Sequence, residues 1–117
     1  MTKQEIYTKV RNHLLAQGAK SKTVATGNCA YRGDHGGMCA IGCLIPDSKY
    51  TPDIEGYRVT SPRVQETLGL PTENRTQEDY ENVRFLRELQ DIHDGYYPEQ
   101  WREELDNFAR VHGLTVT

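Results

Sequence analysis

A chain of 117 residues with three cysteines and a mean hydropathy of −0.76 has the size of one domain, spanning residues 1–117, and no run near the about eighteen apolar residues of a membrane span. The opening "MTKQEIYTKV" lacks the apolar stretch of a secretion signal, so a cytoplasmic protein with reduced thiols is expected. The formal charge of −3 is unevenly spread: residues 1–72 carry nine Lys/Arg against six Asp/Glu and residues 73–106 four against eleven, which argues against the strongly basic stripe of a nucleic-acid binder.

The first element is a helix over "MTKQEIYTKVRNHLLAQG". Thr2 and Glu5 fit a capping box, Ile6, Val10, His13, Leu14 and Gln17 share a side, and Gly18 suits the C-cap. Residues 19–28 are small and polar and read as a loop leading to a strand. "CAYR" has strand character, "GDHGG" is a glycine-rich turn, and "MCAIGCLI" returns as a strand or as a short buried helix, between which periodicity does not choose. Residues 46–62 form an irregular excursion containing Tyr50, Ile54, Tyr57 and Val59. Pro62 opens a short helix closed by Gly69 and Pro71. Thr76 with Asp79 opens a longer one, with Tyr80, Val83, Leu86, Leu89, Ile92 and His93 on one side and Gly95 at its end. After the short link "GYYP", Pro98 begins a last helix with Trp101, Leu105, Phe108 and His112 at helical spacing. The expected fold class is α+β: a mainly helical domain in which a small β-hairpin packs on the N-terminal helix and on a C-terminal antiparallel helix pair.

Three constellations carry possible chemistry. Thiolates of Cys29, Cys39 and Cys43, with His35 or Asp47, would supply a zinc set, although the Cys-x9-Cys-x3-Cys spacing contains no Cys-x2-Cys knuckle and free cysteine also serves as a small core hydrophobe. A nucleophilic reading places Cys39 at a helix start, His93 as base and Asp94 or Asp91 as its orienter; against it, His93 also closes the apolar face of its helix. "RGDHGG", with Arg32, Asp34 and His35, and Arg58 further along, would hold the phosphate of a small nucleotide-like ligand, while a simple turn accounts for the same glycines. Seven tyrosines exceed what a small core hides, so Tyr96, Tyr97 and Trp101, beside Glu88 and Asp91 of the acidic helix, are the expected surface for a protein partner.

"CAYRGDHGGMCAIGCLIPDSKY" followed by "FLRELQDIHDGYYPEQWREELDNFARVHGL" resembles a family of small proteins of tailed phages and bacterial genomes. The resemblance rests on Cys29, Tyr31, Arg32, Gly33, Cys39, Ala40, Gly42, Leu44, Ile45, the helix end at 89–94 and Trp101, and it reaches nearly the whole chain. Cys43 is not a fixed part of that pattern, which counts against a three-thiolate site. What the resemblance implies is a phage-type accessory protein in the cytoplasm of a host bacterium. Such a protein would be non-enzymatic and would bind and inhibit a host protein, defence systems included; capture of a nucleotide-like ligand and a Cys–His hydrolase or transferase are the alternatives.

Overall fold

Helix boundaries follow the caps that the chain carries. In the computed structural model, which describes residues 1–23 and 29–116, Thr2 and Glu5 form the capping box of α1 (Lys3–Gln17), and Gly18 ends it at φ 64°. α2 (Pro62–Thr67) starts on proline behind a Ser61 cap, and Thr76 with Asp79 boxes the start of α3 (Gln77–Gly95). A 3₁₀ turn, Pro98–Gln100, feeds α4 (Trp101–Val111). A side chain caps the starts of α1, α2 and α3 and Gly18 the end of α1, whereas α4 begins without a side-chain cap.

α1, α3 and α4 close one core. Tyr7, Val10 and Leu14 meet Phe85 and Leu89 of α3 and Trp101, Leu105 and Phe108 of α4. Trp101 stacks on His93 near the end of α3, and Phe108 packs on Phe85 nearer its start, so the two helices run antiparallel as expected. The Tyr7 hydroxyl donates to the carbonyl of Leu105 at 2.8 Å and ties α1 to α4. A second cluster gathers Tyr31, Ile41, Ile45, Ile54, Val59 and Val64 against Leu86. Tyr80, expected on the buried side of α3, lies outside both clusters, half exposed under Arg75.

The α+β expectation is corrected at residues 29–45. Among the described residues there is no strand; only isolated antiparallel bridges, Lys22 with Cys29 and Arg32 with Met38, occur. Residues 39–45 form a helical turn, in which Cys43 N–H donates to Cys39 O at 3.1 Å and Leu44 N–H to Ile41 O at 2.9 Å. The reason is two-sided burial. Ala40 and Cys43, three apart, enter the first core while Ile41 and Ile45, four apart, enter the second, and a strand's period of two would have put Cys43 on the side of Ile41 and Ile45. Gly42 sits at the crossing, where a Cβ would lie 2.1 Å from the Tyr31 carbonyl oxygen. Of the loop expected at 19–28, residues 24–28 lie outside the described residues.

Without a ladder, buried N–H groups need other acceptors. Glu55 supplies two, taking Tyr31 N–H at 3.0 Å and Arg32 N–H at 3.1 Å, and it also accepts the Tyr50 hydroxyl. Gln17 Oε1 takes Met38 N–H and Gln90 Oε1 takes Ile41 N–H. Orphaning a buried N–H costs about 1–3 kcal/mol. Glu55→Ala is therefore expected to lower stability by about 2 kcal/mol or more in urea denaturation, and Glu55→Gln, which keeps one acceptor oxygen, by less. Equal stability of the alanine variant and the wild type would contradict this account.

Candidate functional site

The same loop segments and α3 enclose a cavity of about 590 Å³, inside the roughly 300–1,000 Å³ usual for small-ligand sites. Cys29, Tyr31 and Cys39 form one wall, Glu55, Tyr57 and Arg58 a second, and Arg87, Gln90, Asp91 and Asp94 of α3 the third. The α3 residues fall three or four apart, which puts their side chains on one helix face.

At this cavity Cys29, His93 and Asp94 each place one possible ligand atom within 4.8 Å of the others, a Cys–His–Asp group able to hold a metal ion. Hydrogen bonds compete for the same atoms. Ser21 N–H donates to His93 Nε2 at 3.0 Å, which leaves Nε2 as the acceptor and assigns the ring proton to Nδ1, from where it is donated to Asp94 Oδ1 at 2.7 Å. His93 is fully buried and stacked on Trp101 at 5.4 Å, so this orientation is held. Ligation through Nδ1 would require moving that proton and setting Nε2–H against the Ser21 donor. The alternative is that Ser21 lets go.

Burial of the Asp94 carboxylate acts to raise its pKa, but hydrogen bonds from His93, Gln90 and Cys29 outweigh it and hold the group below its ordinary value. A carboxylate held low in the folded state adds stability at neutral pH that is lost as pH falls through its folded pKa. For Cys29 the direction is opposite: burial first, then the charge of Asp94, push its thiol up. The thiol is thus a protonated donor to Asp94, and neither nitrogen of His93 is free to take its proton.

The other sequence-derived candidates are placed as follows. Cys39 is 2% exposed, its Sγ accepts from Gly42 N–H, and burial drives its pKa far up, so it does not form the thiol–His93 pair; Cys29 does the meeting instead. Cys43 points into the α1–α4 core, bonds Ala40 O, and is pushed up to about 11 by burial. Cys29 and Cys39 share a cavity wall while Cys43 lies in the other core, and among the described residues the three thiols form no common ligand group. Arg32 is spent on Asp47 at 2.6 Å and on Ile45 O, under the Tyr50 ring; His35 sits at φ 60° in the exposed turn beside Asp34. Neither the glycine turn nor Arg32 lines the cavity, whereas Arg58 does.

A second, shallower groove of about 330 Å³ lies between α3 and α4. It holds three of the expected partner residues, Glu88, Asp91 and Tyr96, with Glu104, Phe108 and Val111. Tyr97 is 68% exposed beside it in sequence, with the Lys20 ammonium over its ring. Trp101 is 0% exposed and belongs to the core, where its Nε1–H donates to Tyr96 O. Sequence reasoning missed Glu55, Arg87 and Gln90. Glu55 carries no signal in its loop, while Arg87, Gln90, Asp91 and Asp94 share a helix face that their spacing already implied.

No family model, no curated protein and no solved structure matches the chain. Among the described residues no helix is long and apolar enough to cross a membrane.

Iodoacetamide is expected to label Cys29 ahead of Cys39 and Cys43, yet more slowly near pH ~8 than a thiol in an unfolded chain. Asp94→Asn removes the charge that keeps the proton on sulfur, and is expected to speed Cys29 labelling a few-fold, within the roughly tenfold that one pKa unit allows. Peptide mass spectrometry after timed labelling checks both. Cys39 reacting first, or no change in Asp94→Asn, would contradict the arrangement.

Proposed function

We propose that this chain is a small non-enzymatic binding protein of phage type that engages a host protein through the groove between α3 and α4. The observation that carries the reading is the make-up of that groove. Glu88, Asp91 and Glu104 rim it, Ile92, Phe108 and Val111 line it, and Tyr96 stands at one end. Asp91 and Glu104 have no hydrogen-bond or ion-pair partner among the described residues, and Val111 is 74% exposed. Two unpaired carboxylates, Asp91 and Glu104, beside exposed Val111 and Tyr96 suit a partner presenting Lys or Arg beside an apolar side chain, while Glu88 is already paired with Arg84 and His112. The overall charge of residues 73–106 extends the same sign across both helices.

Two further points support a binder over a Cys–His enzyme. The thiol nearest His93 is held protonated, and His93 spends both nitrogens on Ser21 and Asp94. A catalytic pair needs a base with a free lone pair facing the nucleophile. The resemblance to small phage proteins adds the setting, a bacterial host with a defence factor as the partner class.

Tagged protein and three variants, incubated with host-cell extract, test the groove. A partner retained by the wild type is expected to be lost with Asp91→Arg and with the double change Tyr96→Ala and Val111→Ser. It should stay bound to Glu66→Arg on α2, and it should bind more weakly as salt rises, because exposed charges are screened over a Debye length. A partner held equally by Asp91→Arg and by the wild type would remove the groove from the interface.

A further inference from the structure

The 590 Å³ cavity combines two cations without partners with two acids, Glu55 and Asp94, whose oxygens are already hydrogen-bonded, and a third, Asp91, that is open. Arg58 and Arg87 line it with no hydrogen bond or ion pair among the described residues, so all five N–H donors of each guanidinium remain available. Glu55 is filled by two backbone N–H groups and the Tyr50 hydroxyl. Asp94 is filled by His93, Gln90 and the Cys29 thiol. Asp91 is the one lining carboxylate without a partner among the described residues, and it is exposed at the edge shared with the α3–α4 groove. The groups left without partners are the two guanidiniums and Asp91, while Glu55 and Asp94 keep their charge but have their oxygens engaged. Aromatic surface comes from Tyr57, 46% exposed with the Arg63 guanidinium over its ring at 5.2 Å, and from the wall formed by Tyr31, whose hydroxyl donates to the Tyr57 carbonyl.

We propose that this cavity is a binding site for a small phosphorylated aromatic compound of mononucleotide size, with Arg58 and Arg87 on the phosphate and the ring system against Tyr57. Guanidinium matches phosphate through paired, charge-assisted hydrogen bonds, and an aromatic face accepts any base or aryl ring by stacking. The site is not the one expected around Arg32, Asp34 and His35, since Arg32 is committed to Asp47 and the glycine turn faces elsewhere. Arg87 takes the place that Arg32 was expected to fill. The inference is independent of the α3–α4 groove, because Arg58, Arg87 and Tyr57 do not line it.

Calorimetric titration of the purified protein with AMP and with phenyl phosphate tests the site, with adenosine and inorganic phosphate as the two halves of the ligand. Both phosphorylated aromatics are expected to bind saturably, and each half at least about tenfold more weakly. Arg58→Gln and Arg87→Gln are expected to weaken AMP roughly tenfold or more each, as loss of charge-assisted bonds does. Asp91→Asn should tighten it, since it removes the carboxylate facing the phosphate without a partner. Arg84→Gln, on the same helix but paired with Glu88 at 3.5 Å and outside the cavity, should leave it unchanged. No saturable heat with either AMP or phenyl phosphate at millimolar concentration would overturn the proposal. So would adenosine binding as well as AMP, or Arg84→Gln weakening AMP as much as Arg87→Gln.

Discussion

The structure depends on how the backbone between residues 29 and 45 is satisfied without a sheet. Much of that segment lies between two apolar clusters, and among the described residues no strand pairs with it, only single backbone bonds such as Ala30 N–H to Ser21 O. Side chains from three separate parts of the chain accept from other amides: Gln17 at the end of α1, Glu55 in the excursion before α2, and Gln90 in α3. His93 does the same for Ser21 N–H. Each of these bonds joins two parts of the chain distant in sequence, so satisfying the amides also fixes how α1, α3 and the central loops are arranged.

The cavity is a by-product of this solution. Glu55 and Gln90 stand in its walls because they reach across to the loop, and Asp94 stands there because His93 holds it. Glu55 and Asp94 are thereby engaged in structure, which leaves Asp91 and the two arginines as the open charged groups of the cavity. The same logic quiets the thiol of Cys29: burial first, then the charge of a carboxylate oriented by His93 and Gln90, keeps its proton on sulfur. The packing of Trp101 on His93 links that arrangement to the main core.

α3 is the element on which both concave surfaces meet. One of its faces closes the core through Phe85, Leu86, Leu89 and Ile92, and its exposed side separates a cavity lined by Arg58 and Arg87 from a groove rimmed by Glu88, Asp91 and Glu104. Asp91 borders both. A charge at that single position therefore acts with opposite sign on the two sides, favouring a cation in the groove and disfavouring an anion in the cavity.

The four helices were legible in the sequence because their signals are local: a capping box is read within four residues, and the apolar side of α4 from its own spacing. That Glu88 and Asp91 share the groove was legible for the same reason, since they lie three apart on one helix. Whether "MCAIGCLI" is strand or turn depends on which cluster each residue joins, a property of its neighbours, because an all-apolar run fits either. Likewise nothing in the sequence chose Cys29 over Cys39 as the companion of His93 and Asp94, or Arg87 over Arg32 as the second cation, because those choices are made by which segments the Glu55 and Gln90 bonds pull together. The local sequence determined the helices and their caps; the tertiary structure alone decided the partners of each buried polar group, since hydrogen bonds between distant segments leave no periodic trace in the chain.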